Sequence, residues 1–313
     1  MNVNLDLVFA IDCTGSMVCH IAVVKQKVNK MVEEICNSKK AHVRLGLVGY
    51  RDYDTEDAGC LIKVYPFTDS MSTIQTNVNE LLAAGGGDCE AFALAFHNCR
   101  NLTWRDNCTK IVVIIADAPP HGIGEWSDKY PGGDPSGFDS IKIAYDMATS
   151  GVVVYSLYCP DQYGFTLAQD YFKKISSITG GLYLPIENAD SLPEIIIGSI
   201  KETLSLEQIL EQLKDEIEVQ RSKGLEKEQL SKVLHEGHSN TLMVENLAIV
   251  GGNNDKVLML NKNVSLEQVE RIIKWDSQRK KKEILVKPKD FEDNTSLFQT
   301  HMVLIKDLQL RHA

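Results

Sequence analysis

Residues 5–17 read LDLVFAIDCTGSM, a short apolar run that passes straight into an aspartate, a hydroxyl, a glycine and a second hydroxyl. A nearly continuous Val/Ile/Leu texture suits a strand covered on both faces, as in a parallel sheet. It recurs at residues 43–50 (VRLGLVGY), 61–67 (LIKVYPF), 110–116 (KIVVIIA), 152–159 (VVVYSLYC) and 181–185 (GLYLP). Between these runs the period changes. Ile21, Val24, Val28, Met31, Val32 and Ile35 repeat at three and four, and similar spacings fill 74–82, 90–99, 141–148, 167–178 and 192–204. Strands alternating with helices predict a doubly wound α/β fold with a mostly parallel sheet. Residues 52–60 are too few for a helical crossover, so 61–67 is expected as an antiparallel edge strand.

Beyond residue 203 the texture shifts. Residues 204–221 (LSLEQILEQLKDEIEVQR) form a charged amphipathic stretch with Ile209, Leu210, Leu213 and Ile217 on one stripe. A second helix is expected at 225–234, after Gly224. Two β-like runs flank Gly251-Gly252-Asn253-Asn254, which suits a hairpin turn. A third helix is expected at 264–275, and the basic run 279–282 reads as a solvated face. The chain thus divides into an α/β domain at 1–203 and a smaller α+β or helical accessory region at 204–313, with no family assigned to the second.

Composition narrows the function. The 313 residues carry a net charge of −10 and a pI near 5.3, which lacks the basic footprint that nucleic acid requires. No apolar run reaches the roughly 18–20 residues of a membrane helix, and no basic segment precedes the first apolar run, so a secretory signal is not expected. A cytoplasmic protein is the expectation. In residues 1–200, 15 Lys and Arg face 24 Asp and Glu, so nearly all the net charge lies in the α/β part. All eight cysteines lie between residues 13 and 159, without a CxxC spacing. They read as reduced, partly buried thiols rather than a disulfide framework or a zinc cluster.

In an open α/β sheet, ligands bind at the carboxyl ends of the strands. Three such places carry oxygen ligands. The first strand ends in Asp12-Cys13-Thr14-Gly15-Ser16-Met17, the fourth in Asp117-Ala118-Pro119-Pro120-His121-Gly122, and Gly85-Gly86-Gly87-Asp88-Cys89-Glu90 precedes a helix. Hydroxyls and carboxylates without an obligatory thiol or imidazole suit a hard cation, Mg²⁺ or Mn²⁺. Asp12 and Ser16 could instead cap the following helix, but capping leaves Asp117 and Asp88 unexplained. Asp52 and Asp54 suit either an acidic turn or support of the site. His121, beside Pro119-Pro120, reads as a rim residue rather than a ligand. The triple glycine has no following Lys-Ser/Thr, so a phosphate loop is excluded. Residues 126–137 (WSDKYPGGDPSG) form a Pro/Gly-rich loop on the same rim, placed to shape specificity or simply to cover the surface.

At these residues the sequence resembles a von Willebrand factor A domain with a metal-ion-dependent adhesion site (MIDAS). Asp12, Thr14 and Ser16 match the family's Asp-x-Ser/Thr-Gly-Ser motif, and Asp117 matches its strand-end aspartate. Together with Arg51-Asp52-Tyr53 and the Gly-Gly-Gly-Asp loop, the match is most similar to the A domains of alpha-kinase and hemicentin-like proteins, over about residues 3–203. The resemblance implies a non-catalytic interaction module. Thr14 and Ser16 would hold Mg²⁺ through hydroxyls, Asp12 and Asp117 largely through water, and a protein partner's carboxylate would complete the shell. The middle loop departs from the relatives' Gly-Gly-Gly-Asp-x-Pro-Glu-Ala, being one residue shorter and lacking the proline. Asp88 or Glu90 could face the ion, and Asp88 is the favoured ligand. A phosphotransferase resembling the haloacid dehalogenases, with Asp12 as nucleophile, would want a lysine and a second acidic residue that are not in place. The region after 203 is too short for an alpha-kinase domain, which leaves a non-catalytic partner of such a kinase as a further alternative.

Overall fold

The computed structural model describes residues 3–38, 41–53, 60–106, 108–160, 164–238, 243–250 and 256–263, together with 266, 269 and 273. The expectations for Asp54, the turn at 251–254 and the basic run 279–282 fall outside the described residues, as does most of the helix expected at 264–275. Two compact units are present, dividing between Leu192 and Pro193.

In the first unit β1 (Val3–Asp12), α1 (Ile21–Asn37), β2 (Ala41–Tyr50), β3 (Ile62–Thr68), α2 (Met71–Glu80), α3 (Phe92–Arg100) and β4 (Thr109–Ala116) follow in order. Then come α4 (Ser140–Thr149), β5 (Val152–Tyr158), α5 (Ala168–Thr179) and β6 (Tyr183–Pro185). The six strands pair in the order β3-β2-β1-β4-β5-β6. All pairings are parallel except β2 with β3, the expected antiparallel edge. The central strands are buried along nearly their whole length, as a sheet covered on both faces requires. Beneath one face Phe92 stacks on Phe96 and meets Tyr50, Tyr171 and Phe172 edge-on. Such ring contacts add to the burial of Val8, Val48, Val112 and Ile114.

Strand order decides where a ligand sits. From β1 the chain crosses to β2 on one side, while β4 pairs with β1 on the other. The crevice outside the carboxyl ends of β1 and β4 is therefore the topological switch point, and Asp12 and Asp117 stand on it.

The second unit is described on its own. The two helices expected over 192–221 are one, α6 (Leu192–Ser222), because no breaker separates them and Gly198 alone is tolerated. The change of texture at residue 203 therefore falls inside a helix. After the αL Gly224 comes α7 (Lys227–His238). Ile209, Leu210, Leu213 and Ile217 pack with Leu230, Leu234, Val269 and Ile273 in a small core. Finally β7 (Met243–Val250) and β8 (Lys256–Asn263) form the expected antiparallel hairpin. Among the described residues no helix is long and apolar enough to cross a membrane.

Candidate metal centre

The β1 exit does not flow directly into α1. A single 3-10 turn over Gly15–Cys19 intervenes, started by Thr14 in an extended conformation. Neither Asp12 nor Ser16 caps α1, whose N-cap is His20 without a side-chain hydrogen bond. Instead Asp12 Oδ1 accepts from the Thr14 amide (2.9 Å) and from Thr14 Oγ1 (2.6 Å). Thr14 Oγ1 lies 3.0 Å from Ser16 Oγ, which donates to Asp117 Oδ1 at 2.9 Å. One chain of contacts thus links Asp12, Thr14, Ser16 and Asp117 across two strands separated by a hundred residues.

The middle loop is sewn between these ends. The Gly15 amide donates to the Gly85 carbonyl, and the Ala84 amide to Cys13 O at 3.0 Å. The Glu90 amide donates to Pro119 O at 2.9 Å, and the Ala91 amide to Arg51 O at 3.2 Å. Such close passage explains two of the glycines. A Cβ on Gly86, whose φ is +100°, would stand 2.7 Å from the Thr14 Cβ, and one on Gly15 would stand 2.9 Å from Gly85 O.

Electrostatics point the same way. Asp12, Thr14 and Glu90 have no exposed surface, and Asp117 is 1% exposed. Burial, and then the Asp117 carboxylate, push Asp12 well above the ordinary carboxylate range despite the bonds from Thr14. Burial, and then Asp12, Asp52 and Asp117, do the same to Glu90. Asp12 Oδ2, both Glu90 oxygens and the Tyr50 hydroxyl are buried without a hydrogen-bond partner. Orphaned buried carboxylate oxygens are costly, a cost that either protonation or a bound cation would offset.

The sequence-derived set divides here. Asp12, Thr14, Ser16 and Asp117 come together, whereas Asp88 is only half-buried. Glu90 is the middle-loop carboxylate buried beside them, since its amide donates to Pro119 O and its backbone bridges to Pro120. His121 is not on the rim: it is 5% exposed, with Nε2 2.7 Å from Asp52 Oδ1 and Nδ1 2.7 Å from Asp128 Oδ1. Burial opposes its charged form, but those two aspartates outweigh it and raise the imidazole above its usual range. The loop after it is anchored as well, because Tyr53 donates to Asp134 at 2.5 Å. Asp128 is a structural residue that the sequence reading did not single out; its only signal was an aspartate inside a Pro/Gly-rich loop.

Part of the chain is similar to known proteins. Residues 6–121 match the family model "von Willebrand factor A domain". The alpha-protein kinase vwkA of Dictyostelium discoideum is 33% identical over 158 residues, covering 48% of this chain and 24% of that protein. The chain therefore spans about a quarter of the length of that curated relative. Among solved structures, the pilus adhesin SpaC from Lactobacillus rhamnosus GG in its open conformation is 14% identical, with a TM-score of 0.49 over 63% of this chain and 30% of that one. The vWF domain of the type V pili tip protein Mfa5 from Porphyromonas gingivalis is also 14% identical, at a TM-score of 0.49 over 64% of this chain and 97% of that one. The family match lies across β1 to β4 and the switch point between them, and over these residues the chain is similar to von Willebrand factor A domains.

Proposed function

We propose that this domain is a non-catalytic interaction module that holds Mg²⁺ or Mn²⁺ at the β1/β4 switch point and, through it, captures a carboxylate of a protein partner. The observation that carries the reading is the set of buried carboxylates Asp12, Glu90 and Asp117 around the hydroxyl pair Thr14 and Ser16, with Asp12 Oδ2 and both Glu90 oxygens orphaned. Oxygen donors alone fit a hard cation. Thr14 Oγ1 and Ser16 Oγ would hold it, with Asp12 and Asp117 orienting those hydroxyls and balancing its charge. Of the two middle-loop carboxylates we assign Glu90 rather than Asp88, on the ground of burial. A bound ion supplies an electrophilic position open to an outside ligand, and half-buried Ser16 with exposed Gly15 marks the side from which one could arrive. The phosphotransferase alternative is not favoured, since Asp12 is fully buried and no lysine is among the groups that chiefly set its charge state. We also place the protein in the cytoplasm, where buried thiols such as Cys99 and Cys159 stay reduced.

Calorimetric titration of the full chain with Mg²⁺ and Mn²⁺ tests the site. Binding is expected in the wild type and in Asp88→Asn, and should be lost in Asp12→Ala and in Thr14→Ala/Ser16→Ala. On the Mn²⁺-loaded chain, added acetate should lower the relaxation enhancement of water protons by displacing an exchangeable water. If the wild type binds neither ion, the mechanism falls; if acetate has no effect, carboxylate capture does.

A further inference from the structure

We infer that Cys89, His121 and Asp128 form a second metal site, for a borderline cation of the Zn²⁺ class, beside the hard-cation centre and chemically distinct from it. One sulfur, one imidazole nitrogen and one carboxylate oxygen from these residues lie within 4.8 Å of one another. Their side chains are almost wholly removed from water. A tetrahedral Zn²⁺ with bonds of about 2.0–2.3 Å puts neighbouring ligand atoms about 3.3–3.8 Å apart. The present 2.7 Å between His121 Nδ1 and Asp128 Oδ1 falls short of that range and the 4.8 Å limit exceeds it, each by about an ångström or less, so side-chain adjustments of that size complete the geometry. Mixed sulfur, nitrogen and oxygen ligation disfavours Mg²⁺ and favours Zn²⁺ or Co²⁺.

Support around the three groups is already built. His121 Nε2 faces Asp52 Oδ1 at 2.7 Å, the carboxylate–histidine arrangement that fixes the tautomer and orientation of a metal-bound ring. Asp128 is held by the Tyr130 amide at 2.8 Å and the Gly122 amide at 2.6 Å. The ring of Tyr130 stands edge-on to His121 at 4.8 Å. Cys89, in contrast, is 1% exposed and finds no hydrogen-bond partner among the described residues. An Asp52–His121–Asp128 clamp accounts for the histidine without a metal, but it does not account for a buried thiol converging on the same point. An ion there would tie the middle loop, one residue before Glu90, to the loop leaving β4. That makes it a structural clip whose existence does not depend on what the neighbouring centre binds.

Co²⁺ titration of the full, metal-stripped chain in excess Mg²⁺ tests the assignment, because thiolate–cobalt charge transfer reports the sulfur directly. One Co²⁺ per chain is expected, with tetrahedral ligand-field bands, displaced by Zn²⁺. The charge-transfer band should vanish in Cys89→Ser, Asp128→Asn should weaken Co²⁺ binding at least about tenfold, and Asp12→Ala should leave the band intact. Absence of the band, its persistence in Cys89→Ser, or its loss in Cys19→Ser/Cys60→Ser would overturn the proposal. X-ray absorption on the Zn²⁺-loaded wild type decides without any variant. A shell of one sulfur with nitrogen and oxygen supports the site, and an oxygen-only or multi-sulfur shell refutes it.

Discussion

Glu90 shows how a single side chain can be placed against its own preference. Buried beside Asp12, Asp52 and Asp117, with neither oxygen given a hydrogen-bond partner, it opposes the fold whenever it carries charge. Replacing it by glutamine keeps the shape and removes the repulsion. Without divalent ions, Glu90→Gln is expected to raise the apparent melting temperature by about 2–4 °C, the equivalent of about 1 kcal/mol, and to shrink the further rise produced by Mg²⁺. Scanning calorimetry with and without the ion checks both parts, and a metal-free variant that melts below wild type contradicts the account. Gly86 makes the complementary case from the backbone. Its left-handed φ and its 2.7 Å approach to Thr14 leave an alanine nowhere to go. Gly86→Ala should cost about 1–3 kcal/mol in urea unfolding and weaken Mg²⁺ binding by displacing Thr14.

Among elements, the amino-terminal half of the sheet is fastened by one carboxylate. Asp6 on β1 lies in register with Arg44 on β2. It accepts from Arg44 Nε (3.0 Å) and Nη2 (2.7 Å), and from the Arg105 amide and Nε (both 2.8 Å) just before β4. Burial alone would raise its pKa, but the two arginines outweigh burial and lower it from the ordinary 3.8. A carboxylate with a lowered folded pKa stabilises above its ordinary value and loses that contribution as pH falls through the folded one. Asp6→Asn should therefore lose about 2–3 kcal/mol at pH 7, the arginines being partly exposed. The gap to wild type should narrow as pH falls below about 4. Comparing urea midpoints of the two chains at each pH isolates Asp6 from Asp12 and Glu90, whose shifts have the opposite sign. A gap that is constant with pH would rule this out.

For the molecule as a whole, each unit relies on its own apolar core. Phe92 is fully buried and meets four other rings under the sheet. Phe92→Ala is expected to cost about 3–5 kcal/mol and, since α3 follows the middle loop directly, to lower Mg²⁺ affinity without touching a ligand. Leu234, fully buried in the second unit's core, should cost about 2–5 kcal/mol on truncation to alanine. Chemical denaturation followed by circular dichroism measures both, and a loss below about 1 kcal/mol at either position would mean that its core is not packed as described.

Much of this was legible from the residues alone. The parallel core, the antiparallel β3 and the hairpin of β7 and β8 follow from strand texture, loop length and turn residues, which are local properties of the chain. Asp12, Thr14, Ser16 and Asp117 were readable because their motif lies at strand ends, and period and order together tell which ends share a rim. What only the tertiary structure decided depends on contacts between distant segments. The union of α6 across residue 203 is one such matter, since helix continuation turns on the absence of a breaker rather than on composition. The burial of Glu90 rather than Asp88 is another, because backbone bonding to Pro119 and Arg51 sets which carboxylate of a short loop turns inward. The burial of His121 between Asp52 and Asp128 belongs with them: a histidine beside two prolines gives no local sign of partners 69 residues upstream and seven downstream, and only the folded loops bring them within hydrogen-bond reach.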